Sequence, residues 1–181
     1  MIRINVVSRI SEDKNSFFDV IYLVKKLEEA GQKDIQLLFI GGITSNTLYN
    51  DMMKLVSLFE LSEKVSFTRR SIRFDDLPQE IKEGYFLNFT IGNFKGFSGI
   101  ESIRAGFKTL FYNVDKKLSE KTQRSESQVE SFEALKALIL KIIQNKAETD
   151  KLIIADNLRM MKGFALNEDE VFFLRSVLNP E

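Results

Sequence analysis

The chain has 181 residues, enough for one domain with its own core, and its 26 basic residues balance 26 acidic ones. Balanced charge leaves no field to hold a polyanion, so nucleic acid is not expected as a partner. With neither Cys nor His in the sequence, disulfides, thiolate nucleophiles, His-based triads and the usual zinc centres are excluded, and no metal or cofactor is expected. Catalysis, if any, must run on carboxylates, Lys, Arg, hydroxyls or the substrate's own groups. No apolar run approaches the ~20 residues of a membrane span, and the start of the chain lacks the basic, apolar and small-residue order of a signal peptide. The expected location is cytoplasmic. The 16 Phe residues, with no Trp, read as a Phe-rich core.

Residues 2–8 are a short β-branched run with too few polar positions for an exposed strand, which suits a buried parallel strand. Asn15 or Ser16 is placed to cap a helix carrying Phe17, Val20, Ile21, Val24 and Leu27 at helical spacing, and Gly31 stops it. Residues 35–40 form a second strand, ended by Gly41 and Gly42. Ser45 or Asn46 caps a second helix with Leu48, Met52, Leu55, Val56 and Phe59 on one face. Residues 65–67 alternate as a third strand, and Pro78 opens a short helix where its missing N–H costs nothing. A fourth strand over residues 85–90 leads to a Gly-rich turn, a helix over 98–105 and a strand over 109–112.

Residues 115–130 turn polar and read as a mobile surface segment. Ser131 then caps a helix with Phe132, Leu135, Leu138, Ile139 and Ile142 on its buried side, and helical patterns follow over 149–161 and 168–178. Alternating strands and helices predict an α/β fold, a doubly wound parallel sheet, with an α-helical C-terminal tail. We read residues 1–181 as one domain: a core over about 1–114, the polar segment 115–130 and the tail 131–181.

Ligands of open α/β sheets bind beyond the carboxyl ends of the strands. Arg9, Gly41 and Gly42, Arg69 and Arg70, and the turn around Gly96 follow strands one to four, so all belong on one rim. Lys14 follows Arg9 by five positions, and Gly96, Phe97, Ser98 and Gly99 run into a helix with Glu101 in its first turns. Two cations and helix-turn amides suit a diphosphate; a carboxylate suits a ribose diol. Simpler readings stand beside these. Arg9 could pair with a carboxylate at the sheet edge, Lys14 could be an exposed helix-start lysine, and Glu101 a dipole-favoured helix acid. Gly41 and Gly42 could be only a turn, and Arg69 and Arg70 only solvated.

Over roughly residues 4–112 this order resembles the C-terminal, donor-binding domain of the GT-B glycosyltransferases of family 4, a Rossmann-like half of that fold. Arg9 and Lys14 match the Arg and Lys that in the family bind the donor diphosphate. Gly41 and Gly42 match its Gly-rich stretch, Val65 and Phe67 its Val-x-Phe strand, and Asp76 and Leu77 its acidic-Leu pair. Glu101 and Gly106 match the second Glu of a paired-glutamate motif and the Gly after it. The resemblance implies a ribose contact for Glu101. The first Glu of that pair falls on Asn93, or on Lys95 if the turn is shorter, and neither is a carboxylate. No Pro follows Gly106, and no Gly-Gly-x-x-Glu segment appears between Asn113 and Glu120.

What the resemblance implies is a retaining, metal-independent transferase that moves a hexose from a nucleoside diphosphate sugar to a glycan or lipid-linked acceptor. It also implies an N-terminal acceptor-binding domain, in cis or in trans, and peripheral association with the inner face of the membrane through a lipid-linked acceptor. Two alternatives remain at this stage: a non-catalytic nucleotide-sugar-binding or scaffold module, and an unrelated flavodoxin-like phosphate-binding domain. A receiver lacks support because Ser8 and Arg9 stand where acidic metal ligands would end strand one. No Gly-x-Gly-x-x-Gly follows strand one and no Gly-Lys-Ser/Thr follows a strand, which argues against nicotinamide and P-loop sites.

Overall fold

The computed structural model describes residues 1–12, 16–90, 96–114 and 125–164. Lys14, Asn15, Asn93, Lys95 and the helix expected over 168–178 lie outside them. Six parallel strands form one sheet in the order β3-β2-β1-β4-β5-β6: β1 Ile2–Val7, β2 Ile35–Ile40, β3 Val65–Phe67, β4 Tyr85–Thr90, β5 Lys108–Asn113 and β6 Gln128–Val129. The helices are α1 Phe17–Glu29, α2 Asn46–Leu58, α3 Gln79–Lys82, α4 Phe97–Arg104, α5 Phe132–Gln144 and α6 Lys146–Lys162. Strand order reverses between β1 and β4, the position where doubly wound sheets open a crevice at their carboxyl edge. A flavodoxin-like domain would order its strands 2-1-3-4-5, so that alternative is excluded.

Alternation within the strands divides the core. Ile4 and Val6 of β1, Leu37 and Phe39 of β2, and Leu87 of β4 pack against Phe17, Val20 and Val24 of α1, Met52 of α2 and Leu135 of α5. Ile40 and Phe86 point to the other face, where they join Leu77, Ile72, Phe74 and Phe107. Phe86 and Phe107 stack with ring centroids 4.4 Å apart. With both faces covered, the strands carry near-continuous apolar runs, as their sequence required.

Two of the expected caps form. Ser45 Oγ accepts from the Leu48 amide at 3.2 Å, and Ser131 Oγ accepts from the Ala134 amide at 3.1 Å. Ser16 precedes α1 without a side-chain cap bond and in a helical conformation, so that expectation fails for the residue described. β6 is a further departure: the end of the polar stretch, read as mobile surface, pairs with β5 through Phe111–Gln128 and Tyr112–Val129. Ser127 beside it is fully buried.

The reason lies in α6. Asn157 caps the backbone of Thr109 in both directions, accepting from its N–H and donating to its C=O, each at 2.9 Å. Asp156 accepts from Ser125 Oγ at 2.6 Å, Ser127 Oγ at 2.7 Å and the Ser127 amide at 3.0 Å. Burial alone would push the Asp156 carboxyl up, but these bonds and Arg159 outweigh it and hold it below the usual carboxylate range. The tail expected to be merely helical therefore clamps the β5–β6 edge. Among the described residues, no helix is long and apolar enough to cross a membrane.

Candidate functional site

The carboxyl edge of the sheet is braced before it is exposed. Beyond Val7 the backbone keeps pairing with the β2 side: the Ser8 amide donates to Ile40 O and the Ile10 amide to Gly42 O, both at 3.0 Å. Thr44 and Ser45 then donate back to Ile10 O at 3.0 Å. Gly41 is what allows this approach. A Cβ there would stand 2.0 Å from Ser8 O, deep inside contact distance, so only glycine fits. The Gly41 amide donates to Thr68 Oγ1 at 3.1 Å, and that hydroxyl donates to Arg70 O at 2.6 Å. Three loops are thereby tied together, with Arg9 held between two backbone bonds.

On the other side of the crevice, Gly96 starts α4 at φ +73°, a left-handed conformation that glycine adopts without strain. Ser98 Oγ donates to the buried Asn88 Oδ1 on β4 at 3.0 Å. Gly99 is buried, and a Cβ on it would meet the Phe111 ring at 2.6 Å. Its glycine is required by helix–strand packing. These contacts fix the roll of α4: Gly99, Ser102 and Ile103 face inward, while Phe97 and Glu101, one turn apart, are exposed.

Between the two walls lies a cleft of about 550 Å³, lined among others by Ser8, Arg9, Ser16, Gly41, Gly96, Phe97 and Ser98. Val7, Ile40, Ile72, Phe89 and Val114 give it an apolar floor, and none of the described lining residues is a carboxylate. The N-termini of α1 and α4 open onto it through Ser16 and Gly96. Two helix ends bring unpaired amides and partial positive charge. Arg9 adds a full charge: it is exposed and makes no ion pair among the described residues. The cleft can hold an anionic group against an apolar floor.

The expected site residues divide accordingly. Arg9, Gly41, Gly96, Phe97 and Ser98 come together in the cleft. Gly42 accepts from Ile10 but does not line it. Gly99 lies in the first turn of α4 as a packing residue, and Glu101 is exposed on that helix outside the lining. Arg69 turns aside at φ +58° to sit 5.8 Å over the Tyr49 ring, and Arg70 is exposed away from the lining. Their neighbours Ser71 and Ile72 line the cleft instead, a pair that composition could not single out. Sharing Ser16 and Val114 with it is a second cleft of about 600 Å³, bordered by Asp19, Glu130 and Glu133. There the Tyr112 hydroxyl donates to Asp19 at 3.0 Å, and burial with this bond pushes its pKa up to about 12.

Comparison with known proteins supports the fold. No family model matches the sequence, and no curated protein matches it. Among solved structures, the C-terminal domain of a glycosyl transferase group 1 family protein (LpcC) from Francisella tularensis superposes with a TM-score of 0.66 at 12% identity, covering 90% of this chain and 85% of that one. A glycosyltransferase from Rickettsia africae gives 0.68 at 17% identity, over 100% of this chain and 49% of that one. HepE from Anabaena, solved in complex with UDP and glucose, gives 0.65 at 13% identity, over 87% and 42%. The chain thus has the fold of the C-terminal domain of group 1, GT-B glycosyltransferases, and spans about half the length of the two longer relatives.

Proposed function

We propose that the chain is the donor-binding domain of a retaining glycosyltransferase, and that its cleft takes a nucleoside diphosphate sugar without a metal ion. One observation carries this reading: Arg9, unpaired among the described residues and held on a braced loop, faces a cleft onto which two helix N-termini open. A diphosphate is the anion that this arrangement fits, with its charge shared between a guanidinium and backbone amides. HepE, of the same fold, binds UDP. Ser71 and Ile72, which line the cleft, are assigned to the base, Glu101 on α4 to the ribose, and Lys14 to the diphosphate beside Arg9.

In the reaction, the bond between the sugar's anomeric carbon and the β-phosphate oxygen breaks. A bond to an acceptor hydroxyl forms on the same face, and the acceptor proton passes to a phosphate oxygen of the leaving diphosphate. The cations and helix ends stabilise charge as it builds on that leaving group, which is the task a divalent metal performs in other transferases. The acceptor, a glycan or lipid-linked sugar, is assigned to an N-terminal domain, in cis or in trans, with association at the inner membrane face when the acceptor is lipid-linked. The absence of a carboxylate among the described lining residues favours a second reading, a domain that binds nucleotide sugar without transferring it.

Thermal denaturation in EDTA tests the binding. At 100 times its dissociation constant, a nucleoside diphosphate stabilises a domain by about 2.7 kcal/mol, and UDP, GDP or ADP should raise the melting temperature accordingly. If none of the three does so, with or without Mg²⁺, the reading is wrong. Transfer appearing only when an N-terminal domain is supplied would favour the first reading over the second.

A further inference from the structure

Helix α6 has two faces, and the sheet uses only one. Thr149, Ile153, Asp156 and Asn157 are buried on the inner face, and the last two hold the β5–β6 edge. The outer face carries Ile154 and Leu158, 43% and 60% exposed, with the half-buried Met161 one turn further on. These three recur at i, i+4 and i+7, so they form one row along the helix. Lys151 and Lys162 lie on the same side, both exposed and in no ion pair among the described residues. An exposed apolar row rimmed by lysines suits a partner that is apolar and acidic.

We infer that this partner is the chain's own C-terminal segment, residues 165–181, folded back antiparallel on α6 as the second arm of an αα-hairpin. Val171, Leu174 and Leu178 recur at i, i+3 and i+7, the matching row of a second helix. Since α6 ends at Lys162 and Gly163 follows it, residues 163–167 make the connection, within the roughly two to eight residues usual between packed helices. Antiparallel helices rise by the same step, about 1.5 Å per residue, in opposite directions, so the length of the turn fixes every pair. Placing Met161 opposite Val171 puts Leu158 opposite Leu174 and Ile154 opposite Leu178 with no further adjustment. The same register brings Lys162 level with Glu168 and Glu170 near the turn, and Lys151 level with Glu181 at the far end. The segment carries Glu168, Asp169, Glu170 and Glu181 against a single base, Arg175. Its charge therefore complements the lysine-rimmed row, whereas a second copy of the α6 face would bring more lysines. The outer face of α6 then holds the tail while its inner face holds the sheet edge.

The sequence has no Cys, so an introduced pair reads this contact without interference. Leu158→Cys with Leu174→Cys should oxidise to a disulfide within one chain under native conditions, because facing positions of packed helices lie within bridging reach. Leu158→Cys with Phe172→Cys puts the second thiol on the far side of the segment's helix and should oxidise at least about tenfold more slowly. Hydrogen exchange of the unaltered chain should show protected amides over residues 171–178. Leu158→Asp should lower that protection at least about tenfold while β1, β2 and β4 keep theirs, and Leu174→Asp should do the same from the other arm. Flotation with phosphatidylglycerol vesicles should be the same for the unaltered chain and Leu158→Asp. Equal oxidation of the two pairs, or exchange over 171–178 at the unprotected rate, would overturn the inference. Disulfides between chains would give the row to a second copy, and vesicle capture lost in Leu158→Asp would give it to a lipid surface; either result removes the hairpin.

Discussion

The two ends of the sheet handle charge in opposite ways. At the amino end of β4 and β5, Asp150 of α6 takes Lys108 at 3.2 Å, Lys146 at 2.9 Å and the Tyr85 hydroxyl. Burial pushes the Tyr85 pKa up and the Lys108 pKa down, while Asp150, despite its own burial, is held below the usual range by its three donors. At the β5–β6 edge Asp156 is likewise surrounded. At the carboxyl end, Arg9 is exposed and makes no ion pair among the described residues, on a loop whose backbone is bonded on both sides. Charges satisfied within the chain hold the fold; the Arg9 guanidinium, on a braced rim, has no ion-pair partner among the described residues.

The sharpest way to break this comparison is to exchange the roles. Asp156→Ala should cost about 2–4 kcal/mol, because it strands the buried Ser127 groups as well as removing a carboxylate. Chemical denaturation reads that loss, and diphosphate affinity of the folded fraction should not change. The pH dependence has a definite sign. The folded-state pKa of Asp156 is depressed, so its stabilisation is fully present above its unfolded value of ~3.9 and is lost as pH falls below that toward the folded value. Acid unfolding should therefore begin earlier in the unaltered chain relative to its neutral-pH stability than in Asp156→Asn. A flat difference between the two across pH 2–6, roughly the window that brackets that value, would contradict the assignment.

Arg9→Ala should behave in the reverse manner. Stability should stay within about 0.5 kcal/mol of the original, while diphosphate binding weakens by about 1.5–3 kcal/mol. Gly41→Ala joins the two regimes. Its Cβ would strike Ser8 O, so the β1 and β2 loops must part; we expect a loss of about 1–3 kcal/mol in stability. Diphosphate affinity should fall with it, because the Arg9 backbone moves. The smallest effects belong to Arg69→Ala and Arg70→Ala, which should alter neither melting by more than about 0.5 kcal/mol nor nucleotide affinity. A loss of nucleotide binding in either would extend the site past the cleft described.

Five of the six strands were legible in the sequence because buried parallel strands write continuous apolar runs, and the Ser45 and Ser131 caps because a cap acts within three residues. β6 was not, because its two residues owe their place to α6: the Thr109–Asn157 bonds span 48 positions, and the Ser127–Asp156 bond spans 29. In the site, Arg9 and Gly96 stood out through chemistry and turn preference, which are local properties. Ser71 and Ile72 did not, because the lining of a cleft depends on where Thr68 ties its loop to Gly41. Gly99 was legible as a glycine but not in its purpose: the Phe111 ring that excludes a Cβ there comes from a strand the sequence does not mark as its neighbour.

Isothermal titration of UDP, GDP and ADP into the chain and into Arg9→Ala, both in EDTA, tests the central claim most directly. The account requires at least one diphosphate to bind the unaltered chain without metal and to bind Arg9→Ala at least about tenfold more weakly, with both proteins melting at the same temperature. Binding that needs Mg²⁺, or that is indifferent to Arg9, would contradict it.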